Sequence, residues 1–386
     1  MKIRTITCHH SFNHGAMLQA FALVKYLQTL GHDVAVIDYR PKYQPGHKVD
    51  PSFTPGIGFL GTFGLRHLYG LYKRIQAPRR KAYYELEQSR RDTFESFFKK
   101  YIQVTQTQYT SIKQLRNNPP EADMYIAGSD QIWNTKIKNG RDSAFYLDFG
   151  HPKRKISYAA SFATTTLNGR FKAFVRSKLR NFDAIGVREK SGLLILESLG
   201  FDGLIVVDPV FLLARHVWDV ILGPHEGVFN EDADDYILTY DFEARGGIIE
   251  PVAKRLSTLF KCKIYSVSPY NLSYADRSFV CCCPFSFVSL IKHARCVVSN
   301  SFHATAFSLI YAKDFFVVNR KDGLNVRMQD LLSHYGLSNR LINGSENDEF
   351  LVEHIDYNSV DKILAEDIIE SKSFLQNQIE FAKKQS

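Results

Sequence analysis

The segment Val297-Val298-Ser299-Asn300-Ser301-Phe302-His303-Ala304-Thr305-Ala306-Phe307-Ser308 constrains the fold of this chain more than any other. An apolar run, Cys296-Val297-Val298, stops at three small polar residues, and apolar side chains then resume at helical spacing through Ala306, Leu309 and Ile310. That pattern is a strand feeding a helix, with hydroxyl and amide side chains where an N-cap belongs. The unpaired N–H groups of such a helix start bind anions. His303, on the first turn, adds a side chain able to exchange a proton near neutral pH. A capped helix with one histidine is also an ordinary structural junction, so the weight of the segment depends on whether similar junctions recur.

They do. Residues 3–8 read as a strand, a polar loop with Gly15 follows, and Met17, Ala20, Phe21, Val24 and Leu27 share one helical face. Gly31 closes that helix, residues 34–37 form the next strand, and the βαβ unit implies a parallel sheet. Residues 45–64, rich in Pro and Gly, read as a long loop. Residues 65–101 read as a basic helical insertion carrying Arg66, Lys73, Arg74, Arg79, Arg80, Lys81, Arg90 and Arg91 among aromatics. Strands resume at 124–127, 156–158, 184–187 and 204–207, with a helix at about 190–199. The acidic run 231–235 reads as a linker, and a second strand–helix series follows. Strands are expected at 236–240, 263–267, 296–298 and 315–318, and helices at 248–260, 285–293, from His303 and at 360–384. The expected architecture is α/β: two Rossmann-like domains, 1–210 and 211–355, face a cleft, and a C-terminal helix within 356–386 packs back on the first.

With 386 residues, the chain is too long for one ordinary core, and its 45% hydrophobic and 23% charged content is that of a globular protein. A net charge of +9 favours anionic partners. No uncharged apolar stretch is long enough to span a bilayer, and the first residues lack a signal peptide's apolar centre, so a cytoplasmic location is expected. The consecutive Cys281, Cys282 and Cys283 suit neither a disulfide framework nor spaced zinc ligands. His9, His10 and His14 have no carboxylate or Cys beside them at ligand spacing, so no metal is expected.

Ligands of open parallel sheets sit beyond the carboxyl ends of the strands. In this chain those positions hold Ser11, Phe12, Asn13, His14, Gly15 and Gln19, then Gly128 to Asn134, Ala159 to Phe162, and Arg188, Glu189 and Lys190. The runs Asn13-His14-Gly15-Ala16-Met17-Leu18-Gln19-Ala20, Gly128-Ser129-Asp130-Gln131-Ile132-Trp133-Asn134 and Tyr158-Ala159-Ala160-Ser161-Phe162 resemble the bacterial polysaccharide pyruvyl transferase family. Val187-Arg188-Glu189-Lys190-Ser191, Asp208-Pro209-Val210-Phe211-Leu212-Leu213 and the Ser299 to Phe307 segment extend the resemblance, in the family's order, over roughly residues 1–340. Two positions depart from the family: Ala304 stands where Gly is usual, adding a Cβ that would narrow the donor pocket, and His14 stands where an aromatic residue is common.

The resemblance implies a fold similar to GT-B glycosyltransferases and transfer of pyruvate from phosphoenolpyruvate to a sugar as a cyclic ketal. It makes phosphoenolpyruvate a co-substrate, with no cofactor. Under it, His303, Arg188 and Asp130 are the candidate catalytic residues. Arg188, Ser299, Asn300, Ser301, Phe302, His303, Ala304, Thr305, Asn13 and Gly15 are candidates for holding the donor. Ser129, Asp130, Gln131, Trp133, Asn134, Ser161 and Glu189 are candidates for the acceptor. A guanidinium suits a carboxylate or phosphate, which fits Arg188. Asp208 is a further candidate for a hydroxyl proton or a turn, Trp133 for stacking on a sugar or for the core, and Arg327 and Asn325 for phosphate or for a solvated helix face.

The acceptor expected is a hexose such as galactose in a lipid-linked repeat of a capsular or exopolysaccharide, ketalated at positions 4 and 6. A GT-B glycosyltransferase using a nucleotide sugar is the rival enzyme. A dinucleotide enzyme is disfavoured, because Gly15 alone occupies the loop where a Gly-x-Gly-x-x-Gly belongs, despite Asp38 at the end of the second strand. The basic helix Arg66–Tyr101 is expected to approach an anionic inner membrane; no nucleic-acid motif accompanies it.

Overall fold

A computed structural model describes residues 1–43, 66–224, 235–241, 247–319 and 326–384, with the side chains of 66–83 left aside. The expected loop at 45–64, the linker at 231–234 and Asn325 lie outside the described residues, as do the side chains of Arg66, Lys73, Arg74, Arg79, Arg80 and Lys81.

The first half alternates strand and helix: β1 (Lys2–Ile6), α1 (His14–Thr29), β2 (Asp33–Tyr39), α2 (Arg66–Tyr101), β3 (Val104–Tyr109), α3 (Ile112–Asn117) and β4 (Met124–Ala127). It continues with β5 (Arg154–Ala160), α4 (Gly169–Leu179), β6 (Ala184–Val187), α5 (Lys190–Ser198) and β7 (Leu204–Ile205). Their strands pair in the order β3-β2-β1-β4-β5-β6-β7, every neighbour parallel. Parallel pairing follows from the helical crossovers. It also explains why β4 and most of β5 are buried on both faces.

The second half contributes α6 (Arg215–Leu222), β8 (Tyr236–Tyr240), α7 (Ile249–Phe260), β9 (Lys263–Val267), β10 (Arg277–Ser278), α8 (Pro284–His293), β11 (Cys296–Ser299) and α9 (Phe302–Ile310). Then come β12 (Asp314–Val318), α10 (Val326–His334), β13 (Leu341–Ile342), α11 (Asp348–Leu351) and α12 (Tyr357–Lys384). The second sheet, again parallel throughout, runs β10-β9-β8-β11-β12-β13. The chain is therefore α/β with two Rossmann-like sheets in a GT-B-like arrangement.

Three features bind the halves together. Helix α1, expected to bury one face, is buried almost all round from His14 to Leu27, because the first sheet covers one side and α8 and α9 cover the other. Met17, Leu18, Phe285, Phe302 and Ala304 accordingly belong to one apolar cluster spanning both sheets. Helix α12 leaves the second sheet, where the Tyr357 hydroxyl donates to the carbonyl of Lys313, and crosses to the first. There Val207 N–H donates to Ser371 Oγ at 2.9 Å, Arg154 Nε donates to Gln378 at 2.8 Å, and Phe374 lies against Tyr158.

Strand order also fixes where a ligand site can form. In the first sheet the winding reverses between β1 and β4, and in the second between β8 and β11. Such switch points open a crevice beyond the strand ends. Motif runs 13–20, 128–134 and 299–307 follow β1, β4 and β11 at these switch points, and the remaining runs lie in or after β5, β6 and β7.

Candidate active site

Each wall of the site begins as a capped strand-to-helix turn. On the first sheet, the Asn13 side chain caps α1 by accepting from Ala16 N–H at 3.0 Å. On the second, Ser301 caps α9 by accepting from Ala304 N–H, while Ser301 N–H donates to Ser299 Oγ at 3.0 Å. Ser299 Oγ donates in turn to the Tyr240 carbonyl, and Asn300 Nδ2 to Asp241 at 2.9 Å. The short polar residues therefore satisfy backbone groups at the strand end, leaving the helix starts directed at the cleft.

Between the two walls lies a cavity of about 720 Å³. The described residues lining it include the expected Asn13, Asp130, Gln131, Asn300, Ser301, Phe302 and His303, and with them His10, Phe12, His14, Tyr43, Arg90, Tyr240 and Arg327. Arg90 and Arg327 are its cationic lining side chains and Asp130 its carboxylate, among the described residues. Asp130 holds a left-handed φ of 84°, a strained conformation for a residue with a Cβ. Three interactions fix it there: its Oδ1 accepts from Gln131 N–H, its carbonyl accepts from Ser161 N–H, and it bridges to Ala160.

Behind this wall lies a buried charge cluster. Arg188 Nη1 donates to Asp208 Oδ2 at 2.6 Å and to Ser129 Oγ at 3.1 Å, and Ser129 Oγ donates to the same carboxylate at 2.9 Å. His303 Nε2 stands 3.6 Å from that carboxylate oxygen. Burial alone would raise the Asp208 pKa, but the imidazole of His303 and the guanidinium of Arg188 outweigh it and hold the carboxyl well below the usual range. Arg188 is itself held charged against the cost of burial by Asp208 and Glu189. Its Nε and Nη2 are buried without a hydrogen-bond partner, and Phe302, which lines the cavity, stacks over the guanidinium at 4.3 Å. Glu189 accepts from Ser161 Oγ at 2.6 Å and from Ala163 N–H at 3.2 Å.

The expected site residues thus divide. Arg188, Ser129, Ser161 and Glu189 support the wall rather than line it. Asn134 donates to Gln131 and fixes that loop. Trp133 is corrected outright as a sugar platform: it is fully buried, stacks on Tyr146 at 5.6 Å and donates Nε1–H to the Phe145 carbonyl. Its indole completes the apolar core under β4, where a large flat ring excludes more water than at a cleft. The Cβ of Ala304 is likewise corrected as a constriction, since Ala304 is fully buried in the apolar cluster shared by the sheets and absent from the cavity lining. Ser299 and Thr305 stabilise the turn, Thr305 Oγ1 donating to the Ser301 carbonyl. Asp208 serves as both charge partner and turn residue, its Oδ1 accepting from Val210 N–H.

Of the two readings open to Arg327, the solvated helix face does not hold: it is 8% exposed, lines the cavity and lies 5.9 Å from the Phe302 ring. Nothing in its local sequence distinguishes it, because the burial comes from the opposite wall. His9 and His10 meet carboxylates distant in sequence, Asp38 at 3.2 Å and Glu95 at 2.8 Å. His14 crosses the cleft, its Nε2 donating to the Cys282 carbonyl at 3.0 Å and its Nδ1 accepting from the Tyr240 hydroxyl at 3.3 Å. Burial pushes its pKa down to about 3.

The chain resembles several solved structures over its whole length. UDP-N-acetylglucosamine 2-epimerase from Rickettsia bellii is 12% identical, with all of this chain and 97% of that one covered and a TM-score of 0.48. The glycosyltransferase SnogD from Streptomyces nogalater is 11% identical, with both chains fully covered and a TM-score of 0.45. UDP-GlcNAc 2-epimerase from Neisseria meningitidis is 12% identical, with all of this chain and 94% of that one covered and a TM-score of 0.44. These scores lie below 0.5, and the fold assignment rests on the strand order itself. No curated protein matches the sequence. The sequence profile of the polysaccharide pyruvyl transferases matches residues 13–322, from the α1 cap through the His303 helix and beyond β12. The chain belongs to the polysaccharide pyruvyl transferase family.

Proposed function

We propose that this protein transfers pyruvate from phosphoenolpyruvate onto a hexose such as galactose, as a 4,6-ketal, in a lipid-linked repeat of a capsular or exopolysaccharide. The observation that carries the reading is the placement of His303: its ring lies in the wall of a cavity with Arg90 and Arg327, while Nε2 faces an ionised Asp208. An anionic donor needs cationic walls, and an enol phosphate needs a proton at carbon.

In the proposed reaction, His303 delivers a proton to the methylene carbon of phosphoenolpyruvate, and one sugar hydroxyl adds to C2, giving up its proton to Asp130. The C2–O bond to phosphate then breaks, the electron pair leaving with phosphate, which takes the proton from Asp130, and an oxocarbenium forms. The second hydroxyl closes the ring on C2, and its proton restores the acid. One phosphate is released for each ketal formed. Asp208, whose Oδ2 lies 3.6 Å from Nε2, sets a negative charge beside the imidazole, and Arg188 holds Asp208 in place. Arg327 and Arg90 bind the donor's phosphate and carboxylate, with the α9 start adding a helix-end contribution. No metal or cofactor is required by this scheme.

The acceptor's lipid would bring the enzyme to the cytoplasmic face of the membrane, and the basic helix α2 suits contact with anionic headgroups. No described helix is long and apolar enough to cross a membrane. The test is phosphate release from phosphoenolpyruvate with galactosyl, mannosyl and glucosyl acceptors, with products weighed for added pyruvate. A ketal formed in step with phosphate, and lost in His303→Ala, is expected. No turnover with any acceptor, together with activity on a sugar nucleotide, would replace this reading with glycosyl transfer.

A further inference from the structure

His303 is carried by one sheet and seated by the other. Its backbone lies on the first turn of α9, in the second half of the chain, but its ring rests on Gly15, the second residue of α1. A Cβ added at Gly15 would lie 1.9 Å from His303 Nδ1, 2.3 Å from Cγ and 2.6 Å from Cε1. The imidazole thus occupies the space in which any other residue would carry its side chain. Asp208, from the loop after β7, bounds the far side of the ring at Nε2. The adjacent His14 fastens the same helix start to the second sheet through Cys282 and Tyr240, and its ring stacks on Phe287 at 4.8 Å.

We infer that Gly15 is a positioning residue for His303: the bare backbone at the start of α1 is a slot that receives the imidazole and sets its height above the donor cavity, so that docking of the two sheets completes the site. The chemical step rests on the pyruvyl transfer proposed above; the slot itself does not. Gly15 is not at a positive φ, and nothing in its backbone conformation requires glycine. Inside a helix glycine is the weaker choice, so an alanine at this position would favour α1 were the imidazole absent. With the imidazole present, an alanine forces the ring back by a distance on the order of 1 Å, a misplacement able to cost about 10²-fold in rate.

The experiment is a double-variant cycle on the full chain, comparing wild type, Gly15→Ala, His303→Ala and the two combined by melting temperature and by pyruvyl transfer. Gly15→Ala is expected to lower kcat by about 10²-fold with the KM for phosphoenolpyruvate little changed. It should lower the melting temperature in the presence of His303 and leave it equal or higher in the His303→Ala background, where the new methyl fills vacated space. An equal thermal penalty in both backgrounds, or an unchanged kcat in Gly15→Ala, would overturn the proposal. Should Gly15→Ala alone fail to fold, a folded double variant supports the slot and an unfolded one refutes it. If the wild type transfers no pyruvate, the functional reading fails, while the thermal cycle still decides the slot.

Discussion

Oδ2 of Asp208 is shared: Arg188 Nη1 reaches it at 2.6 Å and His303 Nε2 stands 3.6 Å away. One buried carboxylate oxygen therefore couples the end of the first sheet to the helix start of the second. The imidazole and the guanidinium both stabilise its charge.

Removing that carboxylate should be costly. In Asp208→Ala the Arg188 guanidinium remains buried without its partner, and the expected loss is about 3–5 kcal/mol. Because the carboxyl titrates lower in the folded chain than in the unfolded one, its contribution is full above about pH 4 and disappears as pH falls further. Urea denaturation of wild type and variant from neutral to acid pH measures both effects; equal stability at neutral pH would contradict the assigned pair.

Asp130 separates chemistry from folding. Asparagine tolerates its left-handed backbone and keeps an oxygen to accept from Gln131 N–H. Asp130→Asn should therefore leave the melting temperature close to wild type while lowering kcat by about 10²–10⁴-fold through loss of the base. A variant with full turnover would remove Asp130 from the mechanism.

His14 should make stability sensitive to mild acid. Its folded pKa of about 3 lies far below the value near 6.5 expected for the unfolded chain. Below that value the unfolded chain binds a proton that the folded chain refuses, so stability falls as pH drops. The loss between neutrality and about pH 5 is expected to be about 2 kcal/mol. His14→Phe, which keeps the ring contacts with Phe94 and Phe287, should remove that slope; an unaltered slope would place the titration elsewhere.

Trp133 should affect stability and not acceptor binding. Trp133→Ala empties a fully buried site and is expected to cost about 3–5 kcal/mol. Measured on folded protein, the KM for the acceptor should stay near wild type. A large selective rise in that KM would restore the sugar-stacking role.

Legibility followed the range of the forces involved. Strands β8 and β9 coincide with the expected 236–240 and 263–267, because central strands of parallel sheets are unbroken apolar runs between turn residues. Strand β3 was missed: Val-Thr-Gln-Thr-Gln-Tyr lies at the sheet edge, is largely exposed and carries the polarity of a loop. The cap at Ser301 was legible for the same local reason, since an N-cap needs only the few residues that follow it.

The sequence by itself determined the alternation of strands and helices, the capped turns at their ends, the family, and hence that His303, Asp130 and Asn13 would gather where strands finish. Tertiary structure alone decided which of those residues face the cavity and which stand behind it. Arg188 went behind Phe302, Trp133 into the core and Arg327 into the cleft, because burial at a domain interface depends on the opposite wall. The seat of His303 on Gly15 is the sharpest instance: nearly three hundred residues separate a ring from the missing side chain whose space it fills, and only close packing of the two sheets brings them together.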